Sequence, residues 1–223
     1  MSTSEWIEDI RKPTAQIISI FLLCMIGFTF VVFIDDAKLT DVYWGLRISI
    51  LFEILIAIIG IIQFKDFFNY SNINNLNKVR QYTKFLTIVN VLCTYNFIFV
   101  AHNFYYTLAL QYETDLEKIW FWSFLLVIIF CALDAVSNVF ILIKLENLEK
   151  IISGKTRSMI GIILKLFAQL IFVEKIIEYM SVPTSDENRF VIIVSLLVIF
   201  CINFANFLLV KKYADFKFEI WKD

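Results

Sequence analysis

Residues 119–143, IWFWSFLLVIIFCALDAVSNVFILI, decide how this chain must be read. The stretch holds a single charged side chain, Asp134. At about 1.5 Å of helical rise per residue it is long enough to cross a hydrocarbon layer about 30 Å thick. Runs of the same kind fall at about 14–34, 43–64, 84–109, 158–180 and 189–210, with charged residues clustered in the short segments between them. The expected fold is an all-α integral membrane protein, a bundle of six transmembrane helices forming one domain over residues 1–223. Short cytoplasmic helical extensions are expected at 65–83, 144–157 and 211–223.

Composition leads to the same place. Hydrophobic residues make up 60% of the chain and charged ones only 18%, with 24 phenylalanines, more apolar surface than a soluble domain of this size can bury. A lipid bilayer is therefore the first partner expected. A formal net charge of -1 offers no basic face to displace phosphate counterions, which excludes a nucleic-acid partner. Cys24, Cys93, Cys131 and Cys201 lie on four different predicted helices without a CxxC-type spacing, so they read as small apolar packing residues. The first run follows an acidic, polar leader and lacks an A-x-A-like cleavage site, so it is expected to stay in the mature protein.

Basic residues set the expected threading. With the N-terminus inside, Arg11 and Lys12, then Lys65, Lys78, Arg80 and Lys84, then Lys144, Lys150, Lys155 and Arg157, and finally Lys211, Lys212, Lys217 and Lys222 share one side. The other side keeps Lys38, Lys118 and Arg189 among acidic residues. Both termini are thus expected in the cytoplasm, and the plasma or inner membrane is the expected location. Trp44, Trp120 and Trp122 then reach the outer boundary, and Trp6 and Trp221 the inner one. Similar entries at Arg11, Arg80 and Arg157 admit three up-and-down hairpins. A basic anchor before every helix entering from inside explains the same pattern without repetition.

Polar residues within the runs are the candidates for function. By helical rise, Asn96, Asp134 and Asn203 lie about 21 Å below the outer surface and Lys165 about 24 Å, with Asn138, Gln169 and Asn206 close by. These seven residues form an expected inner-half polar layer, with Asp134 and Lys165 pairing because an unpartnered charge in hydrocarbon is costly. Arg47, Glu53, His102, Glu174 and Lys175, with Glu178 one turn on, form a second polar group nearer the outside, lining a vestibule or anchoring helix ends. His102 is the only histidine, so a multi-histidine metal site is excluded, and no metal or other cofactor is expected.

No phosphate-cradling glycine loop, G-x-S-x-G or H-E-x-x-H motif occurs, so catalysis is not expected. Five glycines and two prolines leave the spans largely continuous, without the paired broken helices of many transporters. Ile143, Leu145, Leu148, Ile151 and Ile152 recur at helical spacing, predicting that the fourth span continues inward as an amphipathic stalk. Two function classes follow. One is a pore or small-solute translocating subunit, within one bundle or at the axis of a homo-oligomer. The other is a non-catalytic anchor or sensor that engages a cytosolic protein through the inner extensions.

Overall fold

The computed structural model describes residues 2–11, 14–35, 42–63, 74–112, 115–144 and 151–220. Within them every regular element is an α-helix: α1 (Thr3–Arg11), α2 (Thr14–Asp35), α3 (Trp44–Ile62), α4 (Leu76–Ala109), α5 (Glu117–Leu142), α6 (Gly154–Ala168), α7 (Leu170–Ser181) and α8 (Asp186–Ile220). The stalk positions Leu145 and Leu148, and Trp221, lie outside the described residues. Among the described residues, five stretches are long and apolar enough to cross a membrane: Thr3–Phe28, Trp44–Ile62, Leu76–Ala109, Glu117–Leu142 and Asp186–Glu219. The bundle is apolar outside and polar inside. Phe52, Trp122, Leu166 and Phe200 are each more than 60% exposed, while Glu53, Asn96, His102, Asp134 and Lys175 are buried. Water would penalise so large an apolar exterior, whereas lipid solvates it, as in a multi-pass membrane protein.

α4 is the axis of the bundle. Its apolar stretch is 67% buried, against 28–36% for the other candidate spans. It packs on α1, α2, α3, α5 and α8. Its N-terminus is set by Asn75, whose side chain accepts from the Lys78 amide at 3.3 Å. Around it, α5 pairs with α6 at close range: a Cβ on Gly161 would meet Ile141 Cγ1 at 2.7 Å, so only glycine permits this approach.

Three local features depart from the sequence reading. The leader before the first span is the amphipathic helix α1, opened by a reciprocal cap in which the Ser2 amide donates to Glu5 at 2.7 Å and the Glu5 amide to Ser2 Oγ at 3.3 Å. Its Trp6, Ile7 and Ile10 form an apolar cluster with Val79 and Leu86 of α4 and Phe216 of α8. The stalk predicted beyond the fourth span does not run on from α5. That helix stops at Leu142 because Ile143 is extended (φ -96°, ψ 125°), and a new helix starts at the Ser153 cap.

The predicted fifth span appears as two helices, α6 and α7, meeting at Gln169. This residue keeps near-helical dihedrals (φ -68°, ψ -10°), and its amide is shared between Lys165 and Leu166 carbonyls at 3.2 Å each. The Phe172 amide reaches Gln169 in a tighter, 3₁₀-like step at 3.1 Å. Buried Gly161, Ala168, Ile171, Lys175 and Glu178 keep the spacing of one helical face through the join. Beyond it, Val182 is extended ahead of Pro183, and the α7 helix ends there.

Candidate functional site

Two buried polar clusters lie along α4, on different neighbours. The first joins α4, α5 and α6. Lys165 Nζ stands 2.5 Å from Asp134 Oδ1 and donates to Asn138 Oδ1 at 2.9 Å. Asp134 Oδ2 accepts from Tyr95 OH at 2.6 Å and from Asn138 Nδ2 at 3.0 Å. Asp134 and Asn138 sit one turn apart, which lets the carboxylate and the amide grip the same ammonium. The Lys165 side chain is a quarter exposed while that of Asp134 is 2% exposed, so the lysine approaches from the rim of the bundle. Beside this set, Thr94 donates to Asn206 Oδ1 on α8. Further along α4, Asn90 Nδ2 donates to the Ile10 carbonyl at 2.9 Å and ties α1 to the bundle.

The second cluster is richer in acid. Lys175 Nζ reaches Glu178 Oε2 at 2.6 Å, Glu174 Oε2 at 3.2 Å and His102 Nδ1 at 2.9 Å, with all four side chains buried. His102 Nδ1 is also 3.1 Å from Glu178 Oε1. The ring accepts from the lysine in one tautomer and donates to the carboxylate in the other. Ser123 Oγ of α5 touches both Glu174 Oε1 and Glu178 Oε1. One hydroxyl has one proton, so Ser123 donates to one of these oxygens and accepts from the other only if that acid is protonated. Around the cluster stand Tyr43, Tyr105 and Tyr106, each close enough to interact with Glu178. The hydroxyls of Tyr43 and Tyr105, and His102 Nε2, are buried without a protein hydrogen-bond partner.

Glu53 of α3 extends the acidic side. Asn103 Nδ2 donates to Glu53 Oε1 and lies 2.5 Å from Ser49 Oγ, while Asn103 Oδ1 accepts from Trp120 Nε1 at 2.8 Å. Asn103 follows His102 directly on α4, so one helix turn presents the imidazole toward α7 and the amide toward α3 and α5.

The residues singled out from sequence divide unevenly. Asp134, Asn138 and Lys165 come together, with Asn206 next to them through Thr94. Asn96 turns instead toward α3 and donates to the Glu53 backbone carbonyl at 3.0 Å. Gln169 forms the α6–α7 join, and Asn203 is buried on α8; among the described residues neither enters these networks. Of the second group, His102, Glu174 and Lys175 form one cluster and Glu53 lies across Asn103 from it. Arg47 is exposed at the start of α3, where its Nε donates to the Val42 carbonyl at 2.9 Å. Tyr95 and Ser123 supply key contacts that neither depth nor charge in the sequence announces. Asn103 carried a visible signal, an amide following the only histidine inside an apolar span. Among the described residues, no group of three His, Cys, Asp or Glu is arranged to hold a metal ion.

The fold and these clusters define a protein that is all-helical over the described residues, with several helices suited to crossing a membrane and with ionisable side chains buried between them. Residues 4–223 match the family described as a domain of unknown function, DUF5079, and the chain belongs to that family. No curated protein and no solved structure matches it.

Proposed function

We propose that this chain is a six-span protein of the plasma or inner membrane, with both termini cytoplasmic, that passes a small cationic solute, the proton included, through its buried polar clusters. The continuous buried face of α6 and α7 supports counting them as one crossing. The observation that carries the functional reading is an imbalance of charge. Glu53, Glu174 and Glu178 are 3–5% exposed, and Lys175 is the cation that meets Glu174 and Glu178. A purely structural core loses free energy by keeping surplus carboxylate in hydrocarbon, so such a surplus marks a place where a cation or proton arrives and leaves.

The alternative, an anchor or sensor recruiting a cytosolic protein, has less to rest on. Tyr213 and Phe216, apolar residues of the inner extension, pack with Trp6 of the same chain. That packing is fastened by Trp6 Nε1 donating to Glu219 at 2.8 Å and by Lys212–Asp9 at 3.1 Å.

Reconstitution into sealed vesicles with an imposed cation or pH gradient tests the proposal. Flux is expected from the native chain and is expected to fall at least about tenfold in Glu178→Gln, the scale of one lost charged contact. Tight vesicles holding correctly inserted native protein would defeat the reading. Copurification of a soluble protein, lost when Tyr213–Asp223 is deleted, would favour the alternative.

A further inference from the structure

A groove of about 630 Å³ runs along the outer surface between α5 and α7. Its walls include Trp122, Leu126 and Phe130 of α5 and Leu170, Val173 and Ile177 of α7. Most of these side chains are exposed, so the groove opens sideways, where acyl chains surround a membrane protein. Its volume is that of a site for a drug-sized molecule. The polar groups it reaches are Ser123, Glu174 and Glu178, the acidic side of the second cluster, with Ser181 at the end of α7 and Lys118 in the first turn of α5.

We infer that this groove binds a lipophilic organic cation, an apolar body carrying one ammonium-type charge, with that charge seated against Glu174 and Glu178. Charge complementarity selects this occupant. Two carboxyl groups share one lysine at the inner wall of the groove, and both acids are among the residues that line it, so the polar side of the groove is acidic. A second, independent feature lies behind the acids: the unpartnered Tyr43 and Tyr105 hydroxyls and His102 Nε2. The Trp122 ring on the wall adds a face on which a cation is attracted. A small hydrated ion has no use for walls this apolar, and a neutral lipid chain has no use for the acids. Entry would be lateral, from the bilayer. The inference names the solute class for the translocation proposed above and rests on that reading for its physiological meaning, while binding itself is measurable without transport.

The test is equilibrium dialysis of tetraphenylphosphonium against the purified full-length chain in nonionic detergent, with octylammonium, octanol and octyl sulfate as competitors. Saturable binding displaced by octylammonium and not by octanol is expected. Glu174→Gln is expected to weaken it roughly thirtyfold, the scale of a lost buried charge contact. Leu126→Trp, which fills the groove and leaves every charge in place, is expected to abolish binding while the thermal unfolding midpoint stays near that of the native chain.

Equal competition by octanol would make the groove an acyl-chain slot, and stronger competition by octyl sulfate would make Lys118 the determinant; either overturns the inference. So would unchanged affinity in Glu174→Gln. A native chain that binds no probe, but whose oligomer dissociates with Leu126→Trp, would show a second copy in the groove. Absent probe binding with intact ion flux in vesicles would remove this inference and leave the broader proposal standing. Binding without flux would do the reverse.

Discussion

The Asp134–Lys165 pair and the Glu174–Lys175–Glu178 cluster are both buried ion pairs in one bundle, and they solve the problem of charge in different ways. At Asp134 one acid meets one base, and Tyr95 and Asn138 supply further hydrogen bonds. The lysine comes from the rim, where its stem can extend toward the membrane boundary. At Lys175 the cation is 1% exposed, faces two acids, and shares a serine and a histidine with them. A one-to-one pair closes its own network, whereas two acids around one lysine leave a carboxyl group that a proton or a second cation can neutralise. Similar residue types therefore make a clasp in one place and, on the reading proposed above, a binding site in the other.

The largest effect that could break this contrast is expected from Lys175→Met. Removing the cation leaves two buried acids facing each other, and breaking a buried pair costs about 3–5 kcal/mol. Thermal unfolding of the purified variant in bicelles is expected to show a large drop in midpoint, or little folded material. Adding Glu178→Gln should recover much of the loss. If Lys175→Met unfolds like the native chain, the cluster is hydrated enough to screen its own charges, and the contrast disappears.

A smaller loss, roughly 2 kcal/mol, is expected from Lys165→Met, below the usual cost of a broken buried pair because Tyr95 and Asn138 still donate to Asp134. Asp134→Asn is expected to cost less, since the freed lysine can reach the boundary. The double variant should sit close to native. A double-mutant cycle with negligible coupling would show that Asp134 and Lys165 do not depend on each other, and the clasp would be no clasp.

Much of this pairing was legible in the sequence because hydrophobic runs fix depth. Asp134 and Lys165 have opposite charge, similar computed height and consecutive spans, which is enough to expect a meeting. Height does not give direction around the helix. Asn96 is one residue from Tyr95, hence about 100° around α4, and it faces α3 while Tyr95 faces Asp134. A depth ruler puts both at one level and cannot say which one reaches the acid. Ser123 sits among Trp122 and Phe124 and reads as a small packing residue, although it bridges two carboxylates. Helix α1 was hidden for another reason: its apolar stripe is only Trp6, Ile7 and Ile10 in a charged background, and it becomes visible once Phe216 packs against it. The tightening at Gln169 has no glycine or proline to announce it.

The smallest effect sharpens the comparison most, because it separates geometry from charge. Gly161 lies one turn before Lys165 on α6, against Ile141 and Phe140 of α5. Gly161→Ala adds a methyl where Phe140 Cβ would stand at 3.1 Å and the Ile141 backbone nitrogen at 3.1 Å, so α6 must shift away from α5. Overpacking of this kind costs about 1 kcal/mol or somewhat more, and the displacement carries Lys165 away from Asp134. The coupling measured between Asp134 and Lys165 is therefore expected to weaken in the Gly161→Ala background. Tetraphenylphosphonium binding in the α5–α7 groove, beyond the Gln169 join, should hold. Gly27→Ala, where an added Cβ meets nothing within 4 Å, serves as the control and should gain up to about 1 kcal/mol from helix propensity. If Gly161→Ala lowers probe binding as much as it lowers the Asp134–Lys165 coupling, α6 and α7 move as one rigid rod through Gln169, and the two clusters form a single mechanical unit.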